Sequence, residues 1–137
     1  NTANLMPEGP VIDVLIGLPG SLMDMLRSQG SPIPGPVAVK ALIDTGASSS
    51  VIQPSIIQQL GLQPIGMVGV NTPSCTNVQC GQYHAGIFIQ DVGRVDLMSV
   101  IEAPLQGQNI QCLIGRDFLQ YGMLIYNGPE SQFVLAF

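Results

Sequence analysis

An aspartate at the end of an apolar run is the residue of this sequence best suited to chemistry. Asp44 follows Ala41-Leu42-Ile43 and precedes Thr45-Gly46-Ala47-Ser48. A carboxylate at the end of a buried strand is costly unless it is hydrogen-bonded or shares a proton. Thr45 offers a hydroxyl that can hold the loop, and Gly46 permits a backbone approach that a Cβ would block. The segment indicates either a catalytic carboxylate or an ordinary Asx-turn in which the aspartate caps its own loop.

A second apolar segment ends in a glycine and a charged pair. Cys112-Leu113-Ile114 runs into Gly115-Arg116-Asp117, and Phe118-Leu119 begins a helical turn. Taken together, the two segments resemble those of the retropepsin-like aspartic proteases, and the tail Phe118–Gly128 looks most like bacterial members. The resemblance covers residues 37–137. Two motifs in this order are far more specific than either motif alone.

The resemblance implies an all-β fold. This fold is a closed β-barrel-like lobe with one or two short helices, and two copies form a two-fold homodimer. Residues 1–36 are expected to form an N-terminal strand and a Pro/Gly-rich loop, and residues 37–137 the protease domain, within one compact domain overall. The chain ends would interleave between subunits, which suits the apolar segment Phe133–Phe137.

The resemblance also implies roles for individual residues. Asp44 would be the catalytic carboxylate, supported by three residues of the active-site loop, Thr45, Gly46 and Ala47. A hairpin would form the flap that closes over a peptide, and its residues are Gly66, Met67, Val68, Gly69 and Val70.

Three further residues would have structural roles near the site. Gly115 would pack beneath the active-site loop, Arg116 would form an ion pair, and Asp117 would be structural. Ser48 stands where several viral relatives have an acid that would meet this arginine. Asp117 and Asp13 are therefore both candidate partners of Arg116.

The number of carboxylates predicts the assembly. Aspartic-protease chemistry uses one carboxylate as general base toward water and another as general acid toward the carbonyl. Two like charges about 3 Å apart cannot both ionise, so such a pair shares one proton. The chain has one Asp-Thr-Gly, and Asp117 does not precede a second Thr-Gly. The second carboxylate is therefore expected to be Asp44 of another copy, supplied by a two-fold axis.

The predicted function is an aspartic endopeptidase that acts on a polypeptide substrate as a homodimer and without a cofactor. The alternative is a retropepsin-like dimerisation or peptide-binding domain with weak or no proteolysis. The distance between the two Asp44 carboxylates in the assembled protein separates these two hypotheses.

Composition excludes several other classes of function. The 137 residues include 46% apolar and 9% charged residues, with a net charge of −5 and four Lys and Arg residues. So few cations exclude a nucleic-acid-binding stripe, and no apolar run reaches the ~18 residues of a membrane-spanning helix.

Residues 45–90 contain no Asp, Glu, Lys or Arg. This reflects either a habit of composition or a cleft wall that receives an uncharged or apolar ligand.

The cysteines and the N-terminus give weaker signals. Cys75, Cys80, His84 and Cys112 are poorly spaced for zinc, so we expect no metal site. A Cys75–Cys80 disulfide requires an oxidising compartment, and three cysteines cannot all pair within one chain. No basic-then-apolar leader follows Asn1, so we expect a piece of a longer chain or a processed form.

Glycine and proline residues separate short apolar runs along the whole chain, which is typical of all-β proteins. The predicted strands are 11–16, 37–43, 67–70, 83–90, 95–101, 124–126 and 133–137. Pro54–Leu60 is predicted as a helix, because proline suits its first position and Gly61 suits the residue after its end. Residues 28–36 are predicted as a loop, Asp117–Tyr121 as a helical turn, and Asn127-Gly128 as a turn.

Overall fold

A computed structural model describes residues 5–70, 78–105 and 109–137. The strands in these ranges are β1 Val11–Gly17, β2 Val37–Ile43, β3 Val51–Ile52, β4 Gly66–Val70, β5 Val78–Ile89, β6 Gly93–Glu102, β7 Cys112–Ile114, β8 Met123–Asn127 and β9 Gln132–Ala136. The helices are α1 Leu5–Glu8, α2 Gly20–Ser28, α3 Pro54–Leu60 and α4 Arg116–Leu119. No helix in the described ranges is long and apolar enough to cross a membrane.

Six of the strands close into a barrel. The sheet runs in the order β1-β2-β7-β3-β6-β5-β4. The strand β1 also pairs with β5, which closes a ring of six strands and leaves β4 outside it. The β2–β7 and β3–β6 pairs are parallel and the other pairs are antiparallel. Closure leaves few free edges on the barrel. The predicted all-β fold with a closed barrel is confirmed.

Alternating side chains of the strands fill the barrel. In β2, for example, Val39, Ala41 and Ile43 are buried, while Ala38 and Lys40 are exposed. This two-residue period is what a strand with one face toward the core requires. Ile43 is therefore the last residue of β2 that packs into the core, and it directly precedes Asp44.

Two helices, α1 and α2, and two short strands, β3 and β7, were not predicted from the sequence. The helix α2 follows Pro19, which offers no side-chain cap, and its apolar residues Leu22 and Leu26 are only half-buried. The helix α1 has a single turn, and β3 has two residues whose pairing comes entirely from β6 and β7. Local sequence patterns are weak for elements of this kind. The prediction for α3 is confirmed, and Gly61 has the left-handed conformation expected there.

The C-terminal strands β8 and β9 form a separate two-stranded sheet. Phe133 packs into the core, and Phe137 contacts Phe118 edge to face with ring centroids 5.2 Å apart. An isolated hairpin is only marginally stable in water. These contacts therefore hold the hairpin against the barrel while its outer face remains exposed.

Candidate active site

Asp44 lies at the point where β2 leaves the barrel. Ile43 pairs with Ile114 of the parallel strand β7, and the N–H of Asp44 donates to the Ile114 carbonyl over 2.9 Å. The backbone of the aspartate is thus fixed by a strand that lies far away in the sequence. Its side chain is half-buried.

The residues after Asp44 form a tight turn. The N–H of Gly46 donates to Asp44 Oδ1 over 2.9 Å, and the N–H of Ala47 donates to the Asp44 carbonyl over 3.2 Å. A Cβ on Gly46 would lie 3.1 Å from Asp44 Oδ1. The Asx-turn, one of the two interpretations of the tripeptide, is therefore present, and it orients the carboxylate.

Arg116 holds the other side of this turn. Its guanidinium Nη1 donates to the Thr45 carbonyl over 2.7 Å, and its backbone N–H donates to the Ala47 carbonyl over 2.8 Å. Thr45 thus contributes to the loop through its backbone carbonyl. The arginine acts as a donor to backbone rather than to a carboxylate.

The expected ion pair of Arg116 is not formed among the residues that the structure describes. Asp13 lies opposite Lys40 in the β1–β2 pair, and its Oδ1 is 2.6 Å from Lys40 Nζ. Asp117 instead accepts hydrogen bonds from Ser50 and from the N–H of Phe118. Each candidate partner is engaged elsewhere, and the prediction of an ion pair with either of them is wrong.

Gly115 lies directly against the loop that follows Asp44. A Cβ at this position would be 2.6 Å from the carbonyl carbon of Ser49 and 2.9 Å from the nitrogen of Ser50. Both of these atoms belong to the backbone, so rotation of a side chain cannot relieve the clash. Only glycine permits the corner between β7 and α4 to approach this closely.

Ser50 links the loop to the same corner. Its hydroxyl donates to Asp117 Oδ1 over 2.7 Å and accepts from the N–H of Gly115 over 3.0 Å. Its own N–H donates to Asp117 Oδ2 over 2.9 Å. Sequence reasoning missed this residue, because Ser48–Ser50 has the composition of an exposed polar loop.

A cleft of about 610 Å³ opens beside Asp44. Asp44 is the one ionisable side chain among the described residues that line it. Apolar and small polar residues form the rest of the lining, and they include Ala47, Ser48, Val51, Gln82, Ile101 and Leu113. Most of the lining residues belong to the charge-free stretch 45–90.

The opposite side of the cleft is formed by β4. Val68, Gly69 and Val70 line it, and β4 pairs with β5 from Gly66↔Gln82 to Val70↔Val78. Residues 71–77, which follow β4 and precede β5 in the chain, lie outside the described residues. The structure thus brings the segment predicted as a flap to the same cleft as the aspartate predicted to be catalytic.

Other sequence candidates lie apart from this cleft. His84 lines a separate apolar groove beside α2, and Cys112 is fully buried in β7. Burial, and secondarily the charge of Asp117, raise the pKa of the Cys112 thiol. Cys75, and with it the proposed disulfide, lies outside the described residues. Within the described ranges no group of His, Cys, Asp and Glu side chains could hold a metal ion.

The barrel, the turn after its aspartate and the glycine corner beneath it define a retropepsin-like aspartic protease fold. The family described as gag-polyprotein putative aspartyl protease matches residues 33–121. The chain therefore belongs to this family. A search of curated proteins finds no match.

Two solved structures are similar to this chain. The EIAV protease complexed with the inhibitor HBY-793 is 22% identical, with a TM-score of 0.52 over 88% of this chain and 93% of that chain. A retropepsin-like aspartic protease from Rickettsia conorii is 15% identical, with a TM-score of 0.50 over 92% of this chain and 91% of that chain. At these identities the likeness shows the fold.

Proposed function

We propose that this protein is an aspartic endopeptidase whose catalytic dyad consists of Asp44 from each of two copies. The main support is that Asp44 is the one ionisable residue among the described residues lining a cleft of about 610 Å³. The family of aspartyl proteases to which the chain belongs supports the same chemistry. The hairpin of β4 and β5 would close over the bound polypeptide.

The mechanism requires the two carboxylates to differ in protonation. At a two-fold axis the pair shares one proton, because two like charges at close distance are not both stable. The ionised member removes a proton from water, and the protonated member donates to the carbonyl oxygen of the scissile peptide. In each copy the Gly46 N–H would hold Oδ1 in place, so that the carboxylates need little reorganisation.

The outer face of the β8–β9 hairpin is the surface proposed to meet the second copy. Met123, Ile125 and Val134 are 61%, 50% and 52% exposed, and Ile125 pairs with Val134 on this face. Large apolar side chains clustered on one exposed face mark an interaction surface. The interleaving predicted for the chain ends would then join the hairpins of two subunits.

The first experiment replaces the proposed catalytic group. Asp44→Asn keeps the size of the side chain but removes the charge, so we expect cleavage of a peptide library to fall at least about 10³-fold. Asp24→Asn is the matched control, because Asp24 is an exposed residue of α2 paired with Arg27. Full cleavage by the Asp44→Asn protein would refute the assigned role.

Mixing the two proteins tests whether one carboxylate comes from each copy. In an equal mixture with free subunit exchange, wild-type homodimers make up about a quarter of all dimers. Activity should therefore fall to about a quarter of that of the wild type at equal total protein. A value of about one half would mean that each protomer acts alone.

A charge on the hairpin tests the proposed interface. Ile125→Lys places an ammonium group on the apolar face, so we expect a folded monomer in analytical ultracentrifugation and a loss of activity. The matched control is Ile65→Lys, since Ile65 is 59% exposed and lies outside this hairpin. A fully active dimer carrying Ile125→Lys would exclude the hairpin as the interface.

The alternative function, dimerisation or peptide binding without proteolysis, gives a different result in the same assays. The wild-type protein would then form dimers and bind peptides while leaving them uncut.

The division into residues 1–36 and 37–137 stays a prediction. The pairing of β1 with β2 and β5 supports one compact domain overall.

A further inference from the structure

Ser50 is the one polar residue that is buried in the described part of the chain, with an exposed fraction of 0%. A hydroxyl in such a place is costly unless all of its hydrogen bonds are made. Here it donates to Asp117 Oδ1 and accepts from the Gly115 N–H. The packing thus encloses a polar group whose partners both belong to the corner beneath the proposed active-site loop.

We infer that Ser50 and Asp117 act as one unit that positions Asp44 for catalysis. This inference rests on the proposed protease function. Neither residue would touch the substrate or the water. Both are positioning residues, and they act through the corner formed by Gly115 and Arg116.

The hydrogen bonds give the route from this unit to the carboxylate. Ser50 fixes Gly115 and Asp117, which are the neighbours of Arg116 on either side. Arg116 in turn holds the carbonyls of Thr45 and Ala47. Those residues belong to the turn whose Gly46 N–H binds Asp44 Oδ1.

The loop from Asp44 to Ser50 is therefore fixed at both ends by the same corner. At its start, the N–H of Asp44 donates to the Ile114 carbonyl, and at its end Ser50 bonds to Gly115 and Asp117. The Ser50 carbonyl also accepts from the N–H of Ile101, which lines the cleft. A shift of this serine would move both the carboxylate and one side of the cleft.

Steady-state kinetics on the purified full chain test the inference. Ser50→Ala leaves the Gly115 N–H and Asp117 Oδ1 without this partner, and we expect kcat to fall at least about tenfold with KM changed less than about threefold. Ser50→Thr keeps the hydroxyl and should recover most of kcat. The matched control is Ser28→Ala, because the Ser28 hydroxyl bonds to the Met25 carbonyl far from the cleft.

A second variant keeps the test decisive if Ser50→Ala folds poorly. Asp117→Asn preserves shape but replaces one carboxylate oxygen with an amide that cannot accept from the Ser50 N–H. We expect the same loss in kcat and a displaced pH profile of kcat. The double variant should be no slower than the slower single variant, as residues acting as a unit are not additive.

The outcomes separate this inference from the proposed function. All rates are normalised to the folded dimer measured by sedimentation and circular dichroism. A wild-type protein that cleaves no peptide overturns the proposed function, and this inference with it. An active wild type with unchanged kcat and pH profile in Ser50→Ala and Asp117→Asn overturns only the positioning role.

Discussion

Replacing Gly115 with alanine tests the closest contact in the proposed active site. A Cβ at this position would lie 2.6 Å from the carbonyl carbon of Ser49 and 2.7 Å from its oxygen. Ordinary contact begins at 3.4 Å, so the added carbon is about 0.8 Å too close. The loop that follows Asp44 must move by a similar distance, because both contacts are with backbone atoms.

The expected cost is that of overpacking a rigid site. Insertion of a methyl group into a well-packed region destabilises a protein by about 1–3 kcal/mol. Backbone that cannot move freely puts this case toward the upper end. A displacement approaching 1 Å at a catalytic group can lower the rate by about 10²-fold. The activity of Gly115→Ala should therefore fall by much more than its folded fraction.

Urea unfolding and peptide cleavage, measured at equal protomer concentration, provide the assay. Gly35→Ala is the matched control, since no atom lies within 4 Å of the Cβ that it adds. Its free energy of unfolding should stay within about 0.5 kcal/mol of the wild type. If Gly115→Ala matched Gly35→Ala in both stability and activity, the close contact between Gly115 and the Ser49 backbone would be refuted.

Two further predictions follow from buried groups. Burial raises the pKa of the Cys112 thiol, so this residue should resist alkylation by iodoacetamide at pH 8 until urea unfolds the protein. Peptide mass mapping measures the alkylation, and labelling of Cys112 in the folded protein would contradict its burial. Burial, followed by the hydrogen bond to Glu102, raises the pKa of Tyr83. The folded state therefore keeps its proton above about pH 10 while the unfolded state loses it, and stability falls as the pH rises. Urea titrations at about pH 9 and pH 11 measure this loss, and the free energy of unfolding should fall less for Tyr83→Phe than for the wild type between these two pH values. An equal fall would mean that Tyr83 ionises alike in the folded and unfolded states.

Features with strong local signals were predictable from the sequence. Pro54 and Gly61 bound the helix α3, and the apolar run before Asp44 is the buried strand β2. In both cases the residues that decide the structure are neighbours in the chain. The order of the two motifs then identified the family, because each motif alone has an ordinary structural explanation.

Features that depend on distant partners were not predictable in the same way. The two-residue strand β3 exists only because β6 and β7 lie on either side of it. The pairing of Asp13 with Lys40 follows from the register of β1 and β2, and it removes one expected partner of Arg116. Ser50 has the composition of a surface loop, and only its position beneath the corner reveals its burial.

The position of β7 has a consequence for the order of folding. This strand lies between β2 and β3, so it separates the two strands that flank the Asp44 loop. Its residues leave the ribosome long after those strands do, and the bond from Arg116 to Thr45 spans 71 positions of the chain. Contacts of such long range form slowly. A nascent chain that stops short of Cys112 would contain the whole Asp-Thr-Gly sequence and still lack the neighbour that gives the aspartate its place.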